Sequence, residues 1–218
     1  MDCCAVVHPI VARPCVTFWR RGVVGLRRNL LPMKIIFLDI DGVVATERAL
    51  WAEYAAYFGQ ATPAHEPRAF WDHLHRLAVA NDGGPPEVSA EYWPFDPEAI
   101  RQLYRLQRVT GCRFVVSSAW RGGAEPAAVA KLARLFALKG LRVPLLSVTA
   151  RLSGAPRSAE ISEWLSHHPT VSAYVILDDE EAGILAPHHE RLVHTDPHEG
   201  FTAAHCDRAI ALLMATGC

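Results

Sequence analysis

The segment Lys34-Ile-Ile-Phe-Leu-Asp-Ile-Asp-Gly-Val-Val44 constrains this chain more than any other, because a short apolar run ends there in two carboxylates and a glycine. Lys34 to Leu38 is brief and rich in β-branched and aromatic residues, which predicts a buried strand rather than a helix. Asp39 and Asp41 follow with one residue between them, so in extended backbone both carboxylates leave the chain on the same side. Two anions that close repel each other unless a cation lies between them or one holds a proton, and a hard divalent metal is the ordinary remedy. Gly42 permits the sharp turn that such a strand end needs.

Downstream, helical and strand patterns alternate. Asp96 to Val109 reads as a helix with Asp96 as its N-cap, Pro97 at its first position and Gly111 ending it. Cys112 to Val116 reads as a second strand, Glu125 to Leu138 as a helix closed by Gly140, and Leu141 to Val148 as the stretch holding a third strand. A helix over Arg157 to Leu165, strands at Ala173 to Leu177 and Arg191 to His194, and a final helix over Thr202 to Met214 complete the series. Strands alternating with helices predict an α/β fold, a Rossmann-like parallel sheet sandwiched by helices.

Two regions stand apart. Residues 1–32 carry five arginines, one acid (Asp2) and three cysteines, and read either as a transit peptide or as an extension upstream of a natural start at Met33. The second is preferred, because organised sequence begins at Lys34, and the domain is taken as 33–218 with the leader poorly ordered. Residues 45–95 form a small helical insertion after the first strand, with helices expected at Glu47 to Phe58 and Glu66 to Ala80, and would cover the carboxyl end of that strand.

In an open parallel sheet the ligand lies beyond the carboxyl ends of the strands, and the residues standing there are unusually polar. The first strand ends in Asp39 and Asp41, the second in Ser117 and Ser118, and the fourth in Asp178-Asp179-Glu180-Glu181; Arg157 opens the helix before the fourth strand. A carboxylate nucleophile, a proton donor, a metal, and hydroxyl and cationic groups for phosphate are what phosphoryl transfer through a carboxylate requires.

The segments Phe37-Leu-Asp-Ile-Asp-Gly-Val, Val115-Val-Ser-Ser, Arg157 and Ile176-Leu-Asp-Asp resemble the four motifs of the haloacid dehalogenase (HAD) superfamily. Ser-Ser-Ala-Trp-Arg121, Arg157-Ser-Ala-Glu-Ile-Ser-Glu-Trp164 and Val175-Ile-Leu-Asp-Asp more narrowly resemble its branch found in Swiss Army Knife RNA repair proteins. The resemblance covers Lys34 to about Met214. It implies that Asp39 is the nucleophile of a phosphatase and that Asp41 is the general acid and then the base. It implies that Mg2+ is held by Asp39, the backbone carbonyl of Asp41 and Asp178, with Asp179 a further ligand or an orienting group. Ser117 and Ser118 then contact phosphate, and Arg157 balances the charge of nucleophile and phosphate.

Each assignment has a rival in ordinary structure. Ser117 and Ser118 can cap a helix or bond their own loop, Arg157 can be a surface first-turn residue, and Asp179 can be a solvated charge. Trp120 and Arg121 either line the substrate pocket, or Trp120 packs and Arg121 stays in solvent. Histidine pairs such as His73 with His75, His167 with His168 and His188 with His189 lack a zinc-ligand spacing and read as solvated loop residues. Serine-hydrolase elbows and nucleotide-binding glycine fingerprints do not occur.

Composition decides less. A net charge of -1 makes no global case for nucleic acid, and no run of about eighteen apolar residues occurs, so no membrane partner is expected. Six cysteines without a CxxC pair suggest reduced thiols and a cytoplasmic setting. A phosphorylated small molecule and a nucleic-acid end both remain open as substrate. A catalytically idle phosphate-binding or regulatory module is the alternative to an enzyme, disfavoured by the presence of both Asp39 and Asp41.

Overall fold

The computed structural model describes residues 32–59, 93–122, 125–184 and 188–215. The leader expected over 1–32, Pro32 apart, and the helix expected at 66–80 lie outside them. Five strands, β1 (Met33–Leu38), β2 (Arg113–Val116), β3 (Leu145–Val148), β4 (Val171–Asp178) and β5 (Leu192–His194), form one sheet in the order β3-β2-β1-β4-β5. Every pairing is parallel, with Phe37 opposite Val115 on one side and Ile176 on the other. The helices are α1 (Glu47–Phe58), α2 (Pro97–Thr110), α3 (Ala127–Leu138), α4 (Arg157–Ser166) and α5 (Ala203–Met214). This is the Rossmann-like α/β sandwich that the alternation predicts.

Side-chain alternation divides the core in two. Ile36 and Leu38 join Phe114, Val116, Val175 and Leu177 in a cluster that buries Leu103 and Leu106 of α2, Leu132 and Phe136 of α3, and Ala209 and Leu213 of α5. Ile35 and Phe37 point the other way, with Val115 and Ile176, onto Ile161 and Trp164 of α4. Three helices therefore cover one face and α4 contributes to the other. Because β1 is buried on both faces, none of its residues from Ile35 to Leu38 is polar.

The sequence punctuation works as read. Asp96 accepts from the Glu98 amide (2.7 Å) at the start of α2, Pro97 sits in the first turn, and Gly111 closes the helix at φ 68°. Strand limits differ by a few residues: β1 begins at Met33 and ends at Leu38 as expected, β2 begins at Arg113, β3 occupies only the end of its stretch, and β4 extends from Val171 because it pairs with Met33 at the start of β1.

The described ends of the 45–95 segment are pinned to each other. Ala45 and Phe95 form an antiparallel bridge, and the Asp96 amide donates to the Val44 carbonyl (2.7 Å). Thr46, buried, donates to Asp96 Oδ2 (3.0 Å) and caps α1 by accepting from the Ala49 amide (3.1 Å). Arg48 Nε also donates to Asp96 Oδ2 (2.9 Å). Asp96 thus caps one helix and ties down the entrance of the other.

Candidate active site

Immediately after β1 the chain folds into a tight turn. The Ile40 carbonyl accepts from the amides of Val43 (3.3 Å), Val44 (2.9 Å) and Ala45 (2.9 Å), while the Gly42 amide donates to the Ala45 carbonyl (2.9 Å). The Gly42 carbonyl accepts from buried Thr195 Oγ1 (2.9 Å), and the Val43 carbonyl accepts from the Phe201 amide (2.9 Å). The turn is held from within and from the segment after β5. Ile40 is fully buried, which leaves Asp39 and Asp41 flanking an apolar anchor.

Asp39 is anchored by its amide, which donates to the Leu177 carbonyl of β4 (2.9 Å), so the ends of β1 and β4 arrive together. Carboxylate oxygens of Asp39, Asp178 and Asp179 lie within 4.8 Å of one another, the one such cluster of metal-ligating side chains among the described residues. Asp178 is wholly buried. Burial and the charge of Asp39 raise its pKa well above the ordinary carboxylate range, against the pull of Arg157 and the Glu180 amide. Asp179 is raised for the same first two reasons. An all-oxygen set of converging carboxylates suits a hard divalent cation, which would remove the cost of that crowding.

Arg157 is the cation that the chain itself supplies. Its Nη1 donates to Asp39 Oδ2 (2.8 Å) and also to Asp178 Oδ2, bridging the two. Burial alone would lower its pKa, but the two aspartates raise it above the ordinary arginine value. It is not a free surface residue.

Asp41 stands outside the three-carboxylate cluster. Its Oδ2 accepts from Trp120 Nε1 (2.9 Å), and its Oδ1 is buried without a partner. Its pKa is pushed up to about 6 by burial, with the Trp120 hydrogen bond pulling down and the charges of Asp39 and Asp179 pushing up. Asp41 therefore holds a proton more readily than a carboxylate in solvent would, and an indole fixes its orientation.

Ser117 follows β2, its amide donating to the Leu38 carbonyl (2.9 Å), and its buried Oγ has no partner. Ser118 is occupied locally: its Oγ accepts from the Trp120 amide (3.3 Å) and its carbonyl accepts from Arg121 Nη1 (3.0 Å). Trp120 both packs, against Phe95 at 6.1 Å between ring centroids, and reaches Asp41. For Arg121 the solvent reading is overturned. The residue is 6% exposed, because its guanidinium pairs with buried Glu160 of α4.

A family model described as the HAD domain in Swiss Army Knife RNA repair proteins matches residues 35–206, which takes in all of these residues. The chain belongs to that family. It is accordingly a HAD-type hydrolase. No curated protein matches it in sequence. Among solved structures it is similar to a haloacid dehalogenase-like family hydrolase from Streptococcus pneumoniae, at 11% identity and a TM-score of 0.33, over 69% of this chain and 77% of that one.

Within this HAD domain, sequence reading missed Glu160. Its Oε1 accepts from the Leu152 amide (3.1 Å) while Oε2 takes Arg121, so one carboxylate joins the loop after β2, the loop after β3 and α4. In sequence it is indistinguishable from an acid placed in a first helical turn for the helix dipole. The solvated reading of His188 is also overturned: the residue is 3% exposed, between Ser162 Oγ (Nε2, 2.6 Å) and Tyr174 OH (Nδ1, 2.7 Å). Glu180 and Glu181 are exposed, as expected of solvated charge, and Glu181 meets His189 at 2.7 Å. Among the described residues no helix is long and apolar enough to cross a membrane.

Proposed function

We propose that this HAD domain is a magnesium-dependent phosphatase that hydrolyses phosphoric monoesters through an aspartyl-phosphate on Asp39. What carries the reading is the different condition of two neighbouring aspartates. Asp39 is paired with Arg157 inside a carboxylate cluster, whereas Asp41 is held by Trp120 with its pKa raised to about 6. Asp39, held by Arg157 among the carboxylates, is placed as the nucleophile, and Asp41 is fit to carry a proton.

Asp39 Oδ attacks phosphorus, the bond from phosphorus to the ester oxygen breaks, and that oxygen takes the proton of Asp41. Asp41, now a carboxylate, removes a proton from water as the water oxygen attacks phosphorus. The bond from phosphorus to Asp39 then breaks, releasing phosphate and restoring the carboxylate. Ser117 Oγ, buried and unpartnered, offers a hydrogen bond to a phosphoryl oxygen, and Arg157 offsets its charge. Ser118 acts by shaping the loop that presents Ser117, Trp120 and Arg121. Magnesium would be held by Asp39, Asp178, Asp179 and the Asp41 carbonyl, and when bound would neutralise charge on the phosphoryl group.

Release of inorganic phosphate from p-nitrophenyl phosphate, with and without magnesium, tests this. Asp39→Asn is expected to abolish turnover, and Asp41→Asn to reduce kcat by about 10²–10⁴-fold, the usual worth of a positioned acid-base group. Full activity in Asp39→Asn, or an inactive parent across a broad ester panel, refutes the mechanism. The same panel, with phosphorylated metabolites beside 3′- and 5′-phosphorylated oligonucleotides, separates the two substrate classes. The description of the matched family supports a nucleic-acid end. Two buried free cysteines, Cys112 and Cys206, fit a reduced, cytoplasmic compartment.

A further inference from the structure

A cavity of about 440 Å³, within the size range of small-ligand sites, shares Arg157 with the carboxylate cluster. Arg157 belongs to both places: its Nη1 reaches Asp39 and Asp178, and its side chain forms part of the cavity wall. Arg121 and Arg151 complete a wall with three arginines, against two acids, Glu160 and Glu180. These charges are not equivalent. Arg157 is committed to Asp39 and Asp178, and Arg121 to Glu160, whose second oxygen is taken by the Leu152 amide.

Arg151 is different. It is exposed, its Nη2 donates to the Ala119 carbonyl, and among the described residues it has no carboxylate partner. A carbonyl contact steadies a guanidinium without neutralising it. The remaining N–H groups keep the planar fork that matches a phosphate oxygen pair. Glu160 fixes the floor beneath by joining the loops that carry Arg121 and Arg151 to α4, so the cationic wall is built before any ligand arrives. Arg121 and Arg151 also line a second cavity of about 630 Å³, which gives a longer ligand somewhere to continue.

We infer that this cavity receives a second anionic group of the substrate, a phosphate or phosphodiester held by Arg151, so that the preferred substrates carry phosphorus beyond the group removed. The inference rests on the phosphatase reading above and narrows its substrate class. A simple monoester fills only the carboxylate end. A two-anion substrate engages Arg151 as well, and removing that charge-assisted, bidentate interaction is expected to weaken binding about tenfold.

The test compares kcat/KM of the full chain, with magnesium, for p-nitrophenyl phosphate, a nucleoside 3′,5′-bisphosphate and a 5′-phosphorylated dinucleotide, in the parent, Arg151→Ala and Arg151→Lys. The parent is expected to favour a two-anion substrate over the aryl ester by about tenfold or more, Arg151→Ala to lose most of that ratio, and Arg151→Lys to keep part of it. Preference confined to the bisphosphate assigns a terminal phosphate, and preference for the dinucleotide a phosphodiester. Equal kcat/KM for all three, or a ratio unchanged in Arg151→Ala, overturns the subsite. Calorimetry with the bisphosphate separates the two readings: Asp39→Asn is expected to bind it about tenfold more tightly than the Asp39→Asn, Arg151→Ala double variant. Equal affinity overturns the subsite whether or not the parent turns over any ester, whereas an inactive parent with that affinity difference overturns only the phosphatase reading.

Discussion

Gly42 holds φ at +63°, and a Cβ built there would lie 2.2 Å from Oδ2 and 2.4 Å from Cγ of Asp179. Two constraints meet at this residue. The left-handed backbone disfavours any side chain by roughly 1–2 kcal/mol, and the carboxylate of a proposed metal ligand lies where the methyl would go. Asp179 cannot give way without leaving the cluster it forms with Asp39 and Asp178. Gly42→Ala is therefore expected to lose magnesium-dependent phosphate release by at least tenfold, while melting only a few degrees below the parent. Retained activity with a normal dependence on magnesium concentration would show that Asp179 has no part in holding the cation. In sequence Gly42 reads as a turn residue alone; its second job depends on where β4 ends.

Elements meet the site through α4. Its first turn brings Arg157 to the carboxylates and Glu160 to Arg121, with both members of the latter pair less than a tenth exposed. Removing one partner from a buried pair leaves an uncompensated charge, so Glu160→Ala is expected to destabilise the domain by about 3–5 kcal/mol in chemical denaturation. Glu160→Gln, which can still accept from the Leu152 amide, is expected to cost less. A loss below about 1 kcal/mol for Glu160→Ala, within the range of ordinary surface pairs, would mean the pair is solvated. The helices and strands themselves were legible because caps, glycines and apolar periods are local signals: Asp96, Pro97 and Gly111 mark α2 unaided. The Arg121–Glu160 and Trp120–Asp41 contacts were not, since 39 and 79 residues separate the partners and no local pattern pairs them.

At the scale of the whole molecule, the strand-end rule is what made the candidate site readable. A parallel sheet with β1 at its centre brings Asp39, Ser117 and Asp178 to one edge whatever the loops do, so three apolar runs and their next residues were enough. The same packing buries titratable groups that pull stability in opposite directions with pH. Asp41 and Asp178, with pKa values raised on folding, lower stability as pH rises above the ordinary carboxylate value of 3.8. His188 works the other way. Burial lowers its pKa below the ordinary 6.5, against a hydrogen bond with the Ser158 backbone that raises it, so the unfolded chain binds the proton first. Its stabilising share is present in full above about 6.5 and is lost as pH falls through the window below it. His188→Gln isolates that share from the carboxylates, because they are common to both proteins. The stability difference between parent and variant, from urea titrations at several pH values, is expected to be largest at pH 7.5 and to shrink steadily towards pH 5. A difference that stays constant across that range would mean His188 titrates alike in both states and that its contacts with Ser162 and Tyr174 hold the charged ring as well as the neutral one.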